Sequence, residues 1–198
     1  MKKGLIVFLL VLAGMVAVGA MTYGRIYNKL VTADEAVKGA WSQVENVYQR
    51  RLDLVPNLVE TVKGYAAHER QTLEAVVNAR SKATQVSISP EVINNPDMFA
   101  KFQEAQGQLS SALSRLLVVI EKYPELKADQ NFLALQTQLE GTENRITVER
   151  KRYNDVAQQF NTTRRVFPNV LVARIAGFKE KAYFQAEQGA AKAPVVKF

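Results

Sequence analysis

The side chains that could do chemistry are few. The only histidine, His68, stands next to Glu69, and the chain has no cysteine. A helical zinc site of the HExxH kind needs a second histidine four residues on, so it is excluded. Disulfides, thiol nucleophiles and thiolate metal sites are excluded with it. The basic groups Arg50-Arg51, Arg164-Arg165 and Arg150-Lys151-Arg152 have the type to grip phosphates. They are equally well read as helix-surface partners of Glu45, Asp53, Glu149 and Asp155 one turn away. No GxxxxGK[ST], GxGxxG or GxSxG string occurs. The remaining enzymatic reading is an unrecognised hydrolase, such as one with a carboxylate-only site, for which loss of an activity on substituting Glu149 or His68 is the test. The expectation is a chain with no catalytic residues, no cofactor-binding residues, no metal ligands and no cofactor.

Charge points the same way. The net charge is +7 among 198 residues, but it sits at the ends. Lys2 and Lys3 supply part of it, and Arg174, Lys179, Lys181, Lys192 and Lys197 outweigh Glu180 and Glu187. A concentrated basic stripe with base-reading residues is missing, so no nucleic-acid partner is expected. Basic residues flanking apolar helices suit an anionic lipid surface instead.

The elements around these residues read as helices. From Gly4 to Gly24 no side chain ionises except that of Tyr23. Such a run matches the ~20 residues a helix needs to cross the hydrocarbon core. The reading is a transmembrane anchor over 1–24. A cleaved signal peptide, with Val18, Gly19 and Ala20 before the cut, is the alternative. Lys2 and Lys3 nearly balance Arg25, Lys29 and Lys38 on the other side. The short charged N-terminal tail favours a cytoplasmic N-terminus with the body outside the cell membrane.

Beyond the anchor, Val37, Trp41, Val44, Tyr48, Leu52, Val55, Leu58, Val62 and Tyr65 recur at steps of three and four. This is a heptad-like stripe. Pro56 predicts a kink or break around Asp53 to Val55, after which the pattern continues to about Lys82. Residues 83–95 lose the period and read as a loop. Asn95-Pro96-Asp97 is a helix start, and a second stripe runs from Phe99 to Tyr123 before Pro124. A third follows Asp129 through Phe132, Leu139, Thr142, Ile146, Glu149, Tyr153 and Phe160. Glu149 on that seam reads as a polar layer fixing register, since an unpaired buried carboxylate costs several kcal/mol. Asparagines beside aromatics (Asn28, Asn154, Asn161) suggest buried amides bridging helices. After Phe167-Pro168 a short helix gathers Val170, Leu171, Ile175 and Phe178 on one side. It reads as a cap on the bundle, with a membrane-surface helix as the alternative.

The fold class is therefore all-α: an N-terminal transmembrane helix over 1–24, then a bundle over 25–184 of three long antiparallel amphipathic helices plus a short C-terminal one. A flexible tail over 185–198 completes it.

The text of several segments resembles the LemA family. These are Tyr27-Asn28-Lys29-Leu30-Val31, the string AWSQVENVYQRRLDLVPNLVETVKGYAAHE over 40–69 with Ala79-Arg80, YPELKADQNFLALQTQLEGTENRI over 123–146, the RYN and FN at 152–154 and 160–161, and FPNVLVARIAGF over 167–178. The resemblance implies a single-pass bacterial membrane protein with a helical bundle. It also implies an association with membrane organisation, including intracellular membrane compartments. It brings no catalytic or cofactor-binding residues. The stripes lead us to expect a homo-oligomer on a lipid bilayer, because a helix continuing to Lys82 would outreach its neighbours and leave apolar surface for another subunit. The alternative is a membrane-tethered adaptor or sensor that binds a partner protein of unidentified kind through one helix face.

Overall fold

The computed structural model describes residues 2–86 and 91–185. These residues form helices α1 (Lys2–Tyr65), α2 (Arg70–Gln85), α3 (Pro96–Ile120), α4 (Pro124–Lys127), α5 (Gln130–Arg165) and α6 (Asn169–Ile175), with a 3₁₀ turn at Val92–Asn94. The tail expected to be flexible lies, but for Gln185, outside the described residues.

Helix α1 carries both the apolar N-terminal run and the central rod of the body. Its 64 residues span about 96 Å at 1.5 Å per residue. The apolar run at its start is exposed on every side, as a lipid-facing segment must be. From Leu30 onward the stripe is buried: Val37, Trp41, Val44, Tyr48, Leu52, Val55, Leu58 and Val62 are all at most 3 % exposed. Tyr65 is not, and its hydroxyl instead donates to Asp129 at 3.0 Å.

Of the kink or break expected around Asp53 to Val55, the break does not occur. Pro56 lies inside a continuous helix. A proline removes the amide that should reach the carbonyl of residue i−4, here Leu52. Arg80 of α2 fills that place, its Nε donating to the Leu52 carbonyl at 2.9 Å. The pattern read on to Lys82 as one kinked helix is instead a hairpin: α1 ends at Tyr65, a turn follows, and α2 folds back. Exposed His68 sits in that turn rather than on a helix. With α2, α3 and α5 all packed on α1, the stripe is covered within the monomer, and the excess apolar surface expected from one long helix is absent along it.

Helix α3 starts as its sequence demands. Asn95 Oδ1 accepts from the amides of Asp97 and Met98 at 3.0 and 3.2 Å, with Pro96 at the first position. Asp129 caps α5 through the Phe132 amide at 2.8 Å. The segment 83–95 is shorter as a loop than expected, since α2 runs to Gln85 and the 3₁₀ turn buries Val92 and Ile93; residues 87–90 lie outside the described set.

Helices α1 and α5 run antiparallel in one constant register. Trp41 meets Tyr153 with ring centroids 5.4 Å apart, Arg51 meets Glu143 at 3.0 Å, and Tyr65 meets Asp129. Every step up α1 is matched by an equal step down α5. Among the described residues two large cores result, with a smaller cluster of Leu30, Val172 and Ala173 beside them. The distal one, farther from the apolar run, joins Leu52–Ala66, α2, the second half of α3 and Phe132 to Leu139. The proximal one is aromatic, with Trp41, Tyr48, Phe99, Phe102, Tyr153, Phe160 and Phe184.

Candidate functional site

Among the described residues three polar features interrupt these cores. The first separates them. Arg51, only 1 % exposed, lies between Tyr48 and Leu52, where the proximal core ends and the distal one begins. Its guanidinium donates to Ser110 Oγ at 2.7 Å, to Glu143 at 3.0 Å, and to both the side-chain and backbone oxygens of Gln106. It also lies over the Tyr48 ring, 5.0 Å from its centroid. A buried guanidinium is tolerated only with such partners, and its effect is to fix which levels of α1, α3 and α5 meet. The polar layer expected at Glu149 is thus centred on Arg51. The signal was present in the sequence: Arg51 falls three after Tyr48 and four before Val55, on the stripe.

The second is a pair of part-buried carboxylates, one on each of α1 and α5. Glu45 and Glu149 occupy the same level of the α1–α5 register, and each keeps one buried oxygen without a hydrogen bond. Burial pushes the Glu45 carboxyl above its usual value, and the Trp41 indole one turn earlier offsets this in part. Trp41 Nε1 and Glu45 Oε1 make no hydrogen bond of proper geometry, so the indole acts as a nearby dipole. Glu149 faces Arg152 of its own helix at 3.8 Å.

The third lies at the end of the body nearer the apolar run. Lys181, 3 % exposed, reaches Asp34 Oδ1 and Asn94 Oδ1, both at 2.6 Å, and sits 5.1 Å from the Phe160 ring centroid. Burial works to raise the Asp34 carboxyl, but its bonds to Lys181 and Lys38 outweigh that and hold it below the usual carboxylate range. Lys181 is delivered by an extended segment that runs back along α5. Asn161 donates to the Lys181 carbonyl and accepts from its amide, each at 2.9 Å. Asn154 grips Phe184 in the same two-handed way, and Tyr153 donates to the Ala182 carbonyl. Two of the three asparagines expected to bridge helices therefore tie an extended strap to a helix. Asn28 does not, and its carbonyl accepts from Thr32.

Arg164 pairs with Glu180 at 2.8 Å rather than with Asp155. Arg50 and Arg165 are exposed, and buried Arg51 separates from its neighbour Arg50. Among the described residues no group of three metal-ligating side chains comes together. A groove of about 590 Å³ between α2 and α3 is lined by Ala79, Lys82, Gln108 and Arg115, and one of about 610 Å³ by Asp34, Asn94, Phe178 and Lys181.

The geometry describes an apolar N-terminal helix extended into a body of packed helices, and the sequence of that body matches the model of the LemA family over residues 40–198. The chain belongs to the LemA family. Relatives of this LemA-family protein include magnetosome proteins MamQ 1 and MamQ 2 of Paramagnetospirillum magneticum, each 27 % identical over 186 residues, or 86 % of this chain and 68 % of the relative. Protein LemA of Metamycoplasma hominis is 26 % identical over 161 residues, 81 % of this chain and 69 % of its own. The chain is a membrane-associated protein by family and by its N-terminal apolar helix.

Proposed function

We propose that this LemA-family protein is a non-catalytic, single-pass protein of a bacterial cell membrane that self-associates to organise or shape the bilayer, with its N-terminus in the cytoplasm and its bundle outside. The observation that carries this reading is the continuity of α1 from Lys2 to Tyr65. One helix is both span and core of the body, so the body has no hinge at the membrane surface. Wherever spans pack together, the bodies are held at a fixed angle to the bilayer, which is how an array imposes shape.

The span has a face suited to packing. Ala13, Ala17, Ala20 and Gly24 recur at steps of four, three and four. A Cβ placed on Gly24, or on Gly14 or Gly19 nearby, would meet no atom within 4 Å. Small residues at this spacing let transmembrane backbones approach closely, where dispersion and close packing replace the hydrophobic drive that lipid cannot supply. The bundle covers its own stripe, so the assembly surface falls on the span rather than on the long helices. The relatives' names, magnetosome protein among them, state no reaction.

Counting photobleaching steps of fluorescently tagged full-length protein in native membrane patches tests the reading. Multi-step traces are expected. Single-step traces, or cellular crosslinks dominated by one foreign protein, would replace it with the adaptor reading.

A further inference from the structure

The short helix α6 and the corner that leads into it leave an apolar edge in solvent. Phe167 is 80 % exposed, Ile175 76 %, Leu171 53 % and Val166 47 %. The opposite side of α6 is packed: Val172 and Ala173 bury Leu30 of α1, with Ile26 and Phe178 beside them. Leu171 and Ile175, four apart, therefore share the outward face.

The height of this edge above the anchor follows from α1. The run free of charge ends at Gly24, and Leu30 stands six residues later, or about 9 Å at 1.5 Å per residue. The headgroup layer of one leaflet is about 5–8 Å deep, and interfacial helices sink their apolar faces about 5–10 Å into that boundary. By the α1–α5 register, the end of α5 at Arg165 is level with Lys29, so Val166 and Phe167 leave it on the membrane side. A line of rings joins the two regions. Tyr23 at the end of the span stacks on Tyr27 at 6.3 Å, and Tyr27 meets Phe178 at 6.0 Å. Tyrosines at this height form the interfacial belt of membrane helices.

Charge selects the occupant. Arg25, Lys29, Arg165, Arg174 and Lys179 are all exposed around this edge. A second copy presenting the same edge would bring the same positive charges against it, whereas anionic headgroups complement them. We infer that the α5–α6 corner, Val166 to Ile175, is a second lipid-contact site that inserts into the headgroup–acyl boundary of the leaflet the span leaves, and prefers anionic phospholipid. This rests on α1 spanning that bilayer. With the span it makes two points of contact, and so sets how the body leans on the membrane.

The chain has no cysteine, so single cysteines can be placed at will. Full-length Phe167→Cys, Ile175→Cys, Leu12→Cys and Val148→Cys, each labelled with an environment-sensitive dye, are reconstituted in vesicles of phosphatidylglycerol and phosphatidylcholine, or of phosphatidylcholine alone, carrying brominated lipids. Leu12 reports the span, and Val148, 61 % exposed on the middle of α5, reports solvent. The expected result is blue-shifted emission at 167 and 175, quenched most by bromines near the glycerol level and more in the anionic vesicles. If the Leu12 label is quenched while 167 and 175 behave like 148, the corner does not touch lipid and the inference is wrong although the anchor stands. If the Leu12 label is not quenched, the anchor reading fails and this site with it. Self-quenching between the 167 or 175 labels of neighbouring copies, without lipid quenching, would assign the edge to a protein contact and overturn the proposal.

Discussion

Arg80 donates its Nε–H to the Leu52 carbonyl, the acceptor that Pro56 leaves without an amide four residues on. A side chain from α2 thus completes the hydrogen bonding of α1, and the helix passes through proline unbroken. Leaving a buried carbonyl unsatisfied costs about 1–3 kcal/mol. Arg80→Ala is expected to destabilise the full-length protein by that amount, followed in detergent through Trp41, the single tryptophan, buried in the proximal core. In a Pro56→Ala background Leu52 regains its amide partner, so the same substitution should cost less. Equal costs in the two backgrounds would show that Arg80 acts by some other contact.

The Arg51 layer predicts an order of effects. Arg51→Ala empties a large buried site and unpairs Gln106 and Ser110, for about 2–5 kcal/mol. Arg51→Met keeps most of the volume and should cost less. Glu143 is 38 % exposed on its side chain, so Glu143→Gln should cost under about 1 kcal/mol. A Glu143→Gln loss as large as that of Arg51→Ala would mean that the ion pair, rather than packing and neutral hydrogen bonds, holds the layer.

Glu45 sets a pH dependence of one sign. Its carboxyl is raised in the folded chain by burial, so between the usual value of 4.5 and the raised one the folded state keeps a proton that the unfolded state has lost. Stability therefore falls as pH rises through that window. Glu45→Gln should make the protein more stable at pH 7 and no different at about pH 3, below both values. Urea midpoints at the two pH values measure this.

Asp34 gives the opposite sign. It is held below its ordinary 3.8, so its contribution is complete above that value and is lost as pH falls through the lowered one. Asp34→Asn leaves the Lys181 ammonium buried with a weaker partner and should cost about 1–3 kcal/mol at neutral pH. Lys181→Met removes the buried charge and should cost less. The acid limb below pH 3.8 should flatten in Asp34→Asn.

Helices were legible where period and caps agree. Asn95 and Asp129 cap as their types require, because a short side chain before an apolar period can bond the orphan amides within its own few residues. The hairpin after Tyr65 was not legible, since Ala66, Ala67 and His68 carry no glycine or proline to mark a turn and the apolar period continues beyond them. Pro56 misled for a related reason: its remedy, Arg80, lies on another helix, and local rules do not see it. Of the candidate clusters, Arg51 was readable as a cation on an apolar stripe, whereas the pairing of Lys181 with Asp34 depends on a strap without periodicity.

The proposed assembly rests on spans packing through their small-residue face. Its most direct measurement is a cysteine scan from Leu12 to Gly24 in the full-length, cysteine-free chain, with disulfide formation induced in native membranes. Crosslinked dimers are expected with maxima at Ala13→Cys, Ala17→Cys, Ala20→Cys and Gly24→Cys and minima between them. Uniformly low crosslinking, or maxima on the opposite face at Met15 and Val18, would contradict it.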